Sequence, residues 1–147
     1  MDAIRVERAK TLKGKPNPDT VKFGVSFTDH MFLMNYAEGK GWYDPRIVPY
    51  GPISLEPSAM VFHYAQEIFE GLKAYRRTDG TVQLFRPLDN IRRLNTSAQR
   101  LCIPMLDENL ALEALCQLVR LDESWVPSKE GTSLYIRPFI IATDPTV

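Results

Sequence analysis

Two arginine settings carry most of the chemistry that these 147 residues offer. Near the carboxyl end, SLYIRPFIIAT from Ser133 to Thr143 reads as a strand. Alternation puts Tyr135, Arg137, Phe139 and Ile141 on one side, with Leu134, Ile136 and Ile140 on the other. Tyr135 and Arg137 therefore point the same way, about 7 Å apart along the strand. A guanidinium in so apolar a run needs a partner, because an unpaired charge in low dielectric is costly. The carboxylate of a small-molecule substrate suits its planar fork of donors. An internal salt bridge or a water-exposed edge satisfies it too, and spacing alone favours these. The second setting is Arg92-Arg93, adjacent on a helical pattern and so diverging by about 100°. One of the two can hold an anion such as phosphate while the other is solvated. Composition does not choose between them, and a surface position is the ordinary outcome for either.

Other side chains invite a role and have a plainer reading. Phe27, Tyr64 and Phe69 are, by residue type, core aromatics. His63 adjoins the apolar stripe of its helical pattern and reads as a packing or surface histidine. Glu70 precedes a glycine and reads as structural. Cys102 and Cys116 stand fourteen apart, without the close pairing of a redox or zinc motif, and suit small buried thiols in a reducing compartment. With His30 and His63 as the two histidines and no cluster at ligand spacing, no metal site is expected.

Eighteen basic residues balance eighteen acidic ones, which removes the electrostatic footprint of a nucleic-acid or polybasic membrane binder. Apolar runs such as Phe139 to Ala142 fall far short of the roughly 20 residues that a membrane helix needs. The start, Met1-Asp2-Ala3-Ile4-Arg5, is no secretory leader, and a cytoplasmic address is the default expectation. The length suits one domain whose core needs no metal or disulfide staple.

Several elements must position these groups. Residues 1–20, polar and carrying Gly14-Lys15-Pro16-Asn17-Pro18, suggest an extended arm. Phe23 to Tyr36 reads as a strand, and a short strand at Arg46 to Val48 fits the proline-rich run from Trp42 to Pro57. From Ser58 to Glu70, Val61, Tyr64, Ala65, Ile68 and Phe69 fall at i, i+3, i+4, i+7 and i+8, which predicts an amphipathic helix stopped by Gly71. Leu72 to Arg76 and Val82 to Arg86 flank Thr78-Asp79-Gly80 and predict a β-hairpin. Pro87 opens a second helix, with Ile91, Leu94, Ala98 and Leu101 on its apolar face. Asp107 caps a third, running to Leu121. A hairpin, helices and further strands without a repeat indicate an α+β domain.

Four segments carry a family likeness: FTDHMF from Phe27, VFHYAQEIFEGLKAYR from Val61 to Arg76, NIRRLNTSA around Arg93, and SLYIRP around Tyr135. In this order they resemble the branched-chain amino acid aminotransferases, pyridoxal-phosphate enzymes of fold type IV. The resemblance implies the small N-terminal domain of that fold, an antiparallel sheet with flanking helices over residues 21–147. It places the lysine that forms the Schiff base with the cofactor in a C-terminal domain absent from this chain. No catalytic residue is then expected here, and Lys73 is not that lysine. By the same likeness Arg93 binds the cofactor phosphate, Phe27, Tyr64 and Phe69 form an apolar substrate pocket, and Tyr135 and Arg137 line it. Arg137 helps to accept the side-chain carboxylate of glutamate. The implied reaction moves the amino group of L-leucine, L-isoleucine or L-valine to 2-oxoglutarate in a homodimer, with the 147 residues inactive and without pyridoxal 5′-phosphate on their own. A D-amino acid aminotransferase or an aminodeoxychorismate lyase shares FEG-like and RL-like elements, though the longer FTDHMF and YIRP segments match those less well. A free-standing domain that binds an acidic small molecule or a protein without catalysis is the reading from another class.

Overall fold

The computed structural model describes residues 3–146. The expected hairpin forms between β-strands that, in chain order, are the fifth and sixth of eight among the described residues. These are β5 (Leu72–Arg76) and β6 (Val82–Leu84). Gly80 takes a φ of 85°, and the Asp79 carboxylate accepts from the backbone and hydroxyl of Thr81, at 2.9 and 2.6 Å, so the turn is closed by its own side chains. On its other edge β5 pairs antiparallel with β7 (Leu134–Ile136), setting Lys73 opposite Tyr135. Leu72 and Ala74 turn inward from this three-stranded sheet. They pack on Leu115 and Val119 of helix α3 (Glu108–Leu121), with Val126 closing the cluster. The N-cap of α3 is Asp107, whose carboxylate accepts from the Leu110 amide at 2.8 Å. Helix α2 (Pro87–Arg100) buries Ile91, Leu94 and Ala98 as its periodicity predicts. Leu101 does not continue that stripe: it is the C-cap and stays exposed, and Ile103 fills the core instead.

Two further sheets stand where a single one was expected. β2 (His30–Ala37) and β3 (Gly41–Pro49) pair antiparallel, and β1 (Arg5–Val6) adds to β3 in parallel. The register skips between Leu33 and Asn35, opposite Asp44 with its φ of 52°, and this bulge lets β3 run through Pro45 well beyond the short strand expected. The third sheet is a two-stranded pair, β4 (Glu67–Phe69) with β8 (Phe139–Ile141).

Three further expectations need correction. The helix over Ser58 to Glu70 is a short helix α1 (Met60–Tyr64), ended by Ala65 in the left-handed region, followed by β4. Ile68 is buried between exposed Glu67 and Phe69, a period of two, and the ladder to β8 outweighs the helical spacing that the same residues display. Gly71 is thus no helix stop. The strand expected from Phe23 begins at His30; Phe23, Val25 and Phe27 are exposed and line no sheet. Finally, Ser133 to Thr143 is two strands in two sheets, because Pro138 has no N–H to offer a ladder and turns the chain between β7 and β8.

The segment around Arg5 to Lys13 is tied to the rest of the fold by more than β1. Asp29, His30 and Asp122 are almost fully buried, and each of their polar atoms finds a partner. Asp122 accepts from the His30 backbone at 3.0 Å and lies 2.7 Å from His30 Nδ1. The Ala9 amide donates to His30 Nε2 at 2.9 Å, so Nε2 is the acceptor, and Nδ1 bears the hydrogen and donates the hydrogen bond that Asp122 accepts. Asp29 accepts from the Lys13 amide and the Trp125 indole, both at 2.7 Å. Burial pushes the Asp29 carboxyl up, but the Lys13 and Trp125 donors outweigh it and hold the group below its ordinary value.

Candidate active site

Phe69 ends β4 and Glu70-Gly71 join it to β5, and around this tripeptide gather three of the residues singled out from sequence. β4 is anchored by its ladder to β8 and by the Glu70 amide, which donates to the Pro138 carbonyl at 2.9 Å. That bond ties the tripeptide to the Arg137-Pro138 corner.

Phe69 is exposed, and its ring lies 4.3 Å beneath the guanidinium carbon of Arg137. Arg137 donates through Nε and a terminal nitrogen to the Tyr135 hydroxyl, at 3.2 and 2.9 Å. The two side chains therefore share one face, as alternation predicts. Among the described residues no carboxylate lies within ion-pair distance of Arg137. Of the two outcomes that spacing alone favours, the internal salt bridge is not formed among the described residues, and the water-exposed position is the one seen, since Arg137 is exposed. A cation that rests on a ring and a phenol, with its remaining donors toward solvent, is suited to receiving an anion from outside.

Gly71 explains the hydroxyl's position. A Cβ at residue 71 would lie 2.3 Å from the Tyr135 oxygen, so the phenol occupies space that any other residue would fill. Phe23 closes the other side of the Tyr135 ring edge-on, with centroids 4.9 Å apart.

Glu70 faces the opposite way. Its carboxylate is buried and accepts from Arg93 Nε and a terminal nitrogen, at 2.7 and 2.8 Å, and from the Asn90 amide at 2.8 Å. Burial alone would raise the Glu70 carboxyl; the hydrogen bonds from Arg93 and Asn90 overcome it and leave the group below its ordinary value. The hydrogen bond to Glu70 and that carboxylate's charge push the Arg93 guanidinium up. Arg92 is occupied elsewhere, donating to Glu108 at 3.1 Å. Of the adjacent pair, Arg93 alone turns toward the tripeptide.

Phe69, Tyr135, Arg137 and Arg93 are thus drawn together, directly or through Glu70 and Gly71. Phe27 and Tyr64 are placed separately. Phe27 stacks on Tyr50 at 5.1 Å, with Lys13 above the Tyr50 ring, and Tyr64 is exposed beside His63. His63 donates from Nε2 to the Pro57 carbonyl at 2.9 Å. Among the described residues no group of three or more His, Cys, Asp or Glu side chains could hold a metal, and no helix is long and apolar enough to cross a membrane.

Comparison with known proteins bears on this arrangement. The branched-chain-amino-acid aminotransferase 2 of Bacillus subtilis is 62% identical over 142 residues, 97% of this chain and 39% of that protein. The chain is homologous to the N-terminal part of the branched-chain amino acid aminotransferases. No protein-family model matches it. Among solved aminotransferases of this kind, that of Escherichia coli superposes with a TM-score of 0.55 at 25% identity, covering 67% of this chain and 30% of that one. The branched-chain aminotransferase of Thermobaculum terrenum, solved in its PLP form, gives 0.50 at 25% identity, covering 64% and 29%. The α+β domain seen here matches the N-terminal domain of those fold-type IV structures. The chain spans about two fifths of the length of the Bacillus aminotransferase.

Sequence reasoning missed the role of Glu70, the space that Gly71 leaves for Tyr135, and the Phe23 ring. A signal was present for the first: a carboxylate set between Phe69 and Gly71, inside an otherwise apolar run, has to find a cation if it is buried.

Proposed function

We propose that this chain forms the substrate-side wall of a branched-chain amino acid aminotransferase, which moves the amino group of L-leucine, L-isoleucine or L-valine to 2-oxoglutarate. The observation that carries the reading is Arg137, a guanidinium with no carboxylate of its own among the described residues, seated on Phe69 and Tyr135. Arg137 and the Tyr135 hydroxyl receive the side-chain carboxylate of glutamate. Phe27, Tyr64 and Phe69, all exposed in this chain, take the branched side chains, which gain about 25 cal/mol per Å² on leaving water. One wall then serves both substrates by using its rim for charge and its rings for hydrocarbon.

Arg93 fits the cofactor's phosphate. Its Nε edge is spent on Glu70, while its other terminal nitrogen has no hydrogen-bond partner among the described residues and stays protonated at any working pH. Pyridoxal 5′-phosphate, when bound, supplies the electron sink that lets an α-C–H bond ionise and an amino group change carriers. This reading sets residues 1–20 as an arm and 21–147 as the small domain of a cytoplasmic homodimer, with the cofactor's lysine outside these residues.

Two assays test it. The complete enzyme should transaminate L-leucine and leave D-alanine untouched; the reverse preference would move the chain to the D-amino acid aminotransferases. The 147 residues alone, mixed with pyridoxal 5′-phosphate and reduced with borohydride, should retain no cofactor, whereas stoichiometric labelling would contradict the division of the site.

A further inference from the structure

We infer that Glu70 is a positioning residue for the cofactor phosphate, acting through Arg93; this rests on the reading of Arg93 as a phosphate ligand. The two partners differ sharply in exposure: the Arg93 side chain is 66% exposed and that of Glu70 only 9%. An ion pair of this kind is a poor source of stability, because burying the carboxylate is costly and an exposed arginine returns little. Its geometry does something else. Glu70 grips two nitrogens of one guanidinium edge, and Glu70 itself is fixed by the Asn90 amide and by its own N–H on the Pro138 carbonyl. A long, mobile side chain is thereby held in one rotamer, with its second edge presented outward.

The charge effect opposes the positional one. A carboxylate beside a phosphate site repels the incoming dianion, so removing its charge would tighten binding if attraction were all that mattered. Positioning predicts the contrary sign. The same anchor couples the phosphate ligand to the substrate face, since of the residues on either side of Glu70 one lies under Arg137 and the other leaves the space that the Tyr135 hydroxyl fills.

The test is cofactor affinity in the holoenzyme, measured with pyridoxal 5′-phosphate and with phosphate-free pyridoxal. Glu70→Gln should weaken the phosphorylated cofactor by about tenfold, the scale on which partners that orient a ligand usually act. It should leave pyridoxal within about twofold and add nothing further in an Arg93→Gln background. Equal losses for both cofactors, full additivity with Arg93→Gln, or unchanged or tighter phosphate binding overturns the inference. If Glu70→Gln does not fold, Asn90→Ala removes one of the carboxylate's supports and should give a smaller loss of the same pattern; equal losses again overturn it. Arg93→Gln that leaves affinity for pyridoxal 5′-phosphate intact removes the Arg93 assignment as well, while loss in Arg93→Gln without loss in Glu70→Gln removes only the role of Glu70.

Discussion

The clasp at Asp29, His30, Asp122 and Trp125 and the face at Phe69, Tyr135 and Arg137 are both built from polar groups among aromatics, yet they are finished to different degrees. In the clasp every carboxylate oxygen and both imidazole nitrogens meet a partner from the same chain, and the residues are sealed from water. On the face, Arg137 spends part of its fork on a phenol and keeps the rest open, above a ring that is itself exposed. A saturated network has nothing left to offer a ligand and serves the fold. An unsaturated one contributes little to the fold and is free to bind.

Mutation should separate the two. Asp122→Ala strands the His30 ring and backbone amide in a dry interior, and should cost about 3 kcal/mol in denaturant unfolding. Gly71→Ala forces the Tyr135 hydroxyl from its place, for about 1–3 kcal/mol, and should weaken glutamate binding along with stability. Acid acts on the clasp, and on Glu70 behind the face, with a defined sign. Asp29 and Glu70 are each held below their ordinary values of 3.8 and 4.5, so the unfolded chain binds the extra protons. Their contribution is fully present above pH 4.5 and is lost as pH falls through 3.8 and toward the lowered folded values. Unfolding free energy measured down to about pH 3 should fall in that window, and Asp29→Asn should flatten the slope. Arg137→Gln sits at the small end for stability, within about 0.5 kcal/mol, because no ion pair is broken.

What the sequence discloses follows from the range of the forces involved. The hairpin, α2 and the Asp107-capped α3 are written in local terms: an Asp-Gly turn, an apolar period, a capping side chain. The shared orientation of Tyr135 and Arg137 is equally local and survives the corner at Pro138. β4 was hidden because its partner β8 lies at the far end of the chain, and Ile68 satisfies either a helical stripe or a two-residue period. Phe23 and Phe27 looked like strand residues because exposure leaves no trace in alternation. The pairing of Glu70 with Arg93 needed the fold, which alone brings β4 against α2.

The proposed role of Arg137 is that of an open receptor for a carboxylate. In the complete enzyme, Arg137→Gln should lower the preference for glutamate over leucine, in kcat/KM, by about tenfold or more, the worth of a lost charged hydrogen bond, with no appreciable change in Tm. Equal losses for both amino acids, or a Tm lowered by many degrees, would show instead that this guanidinium belongs to the scaffold.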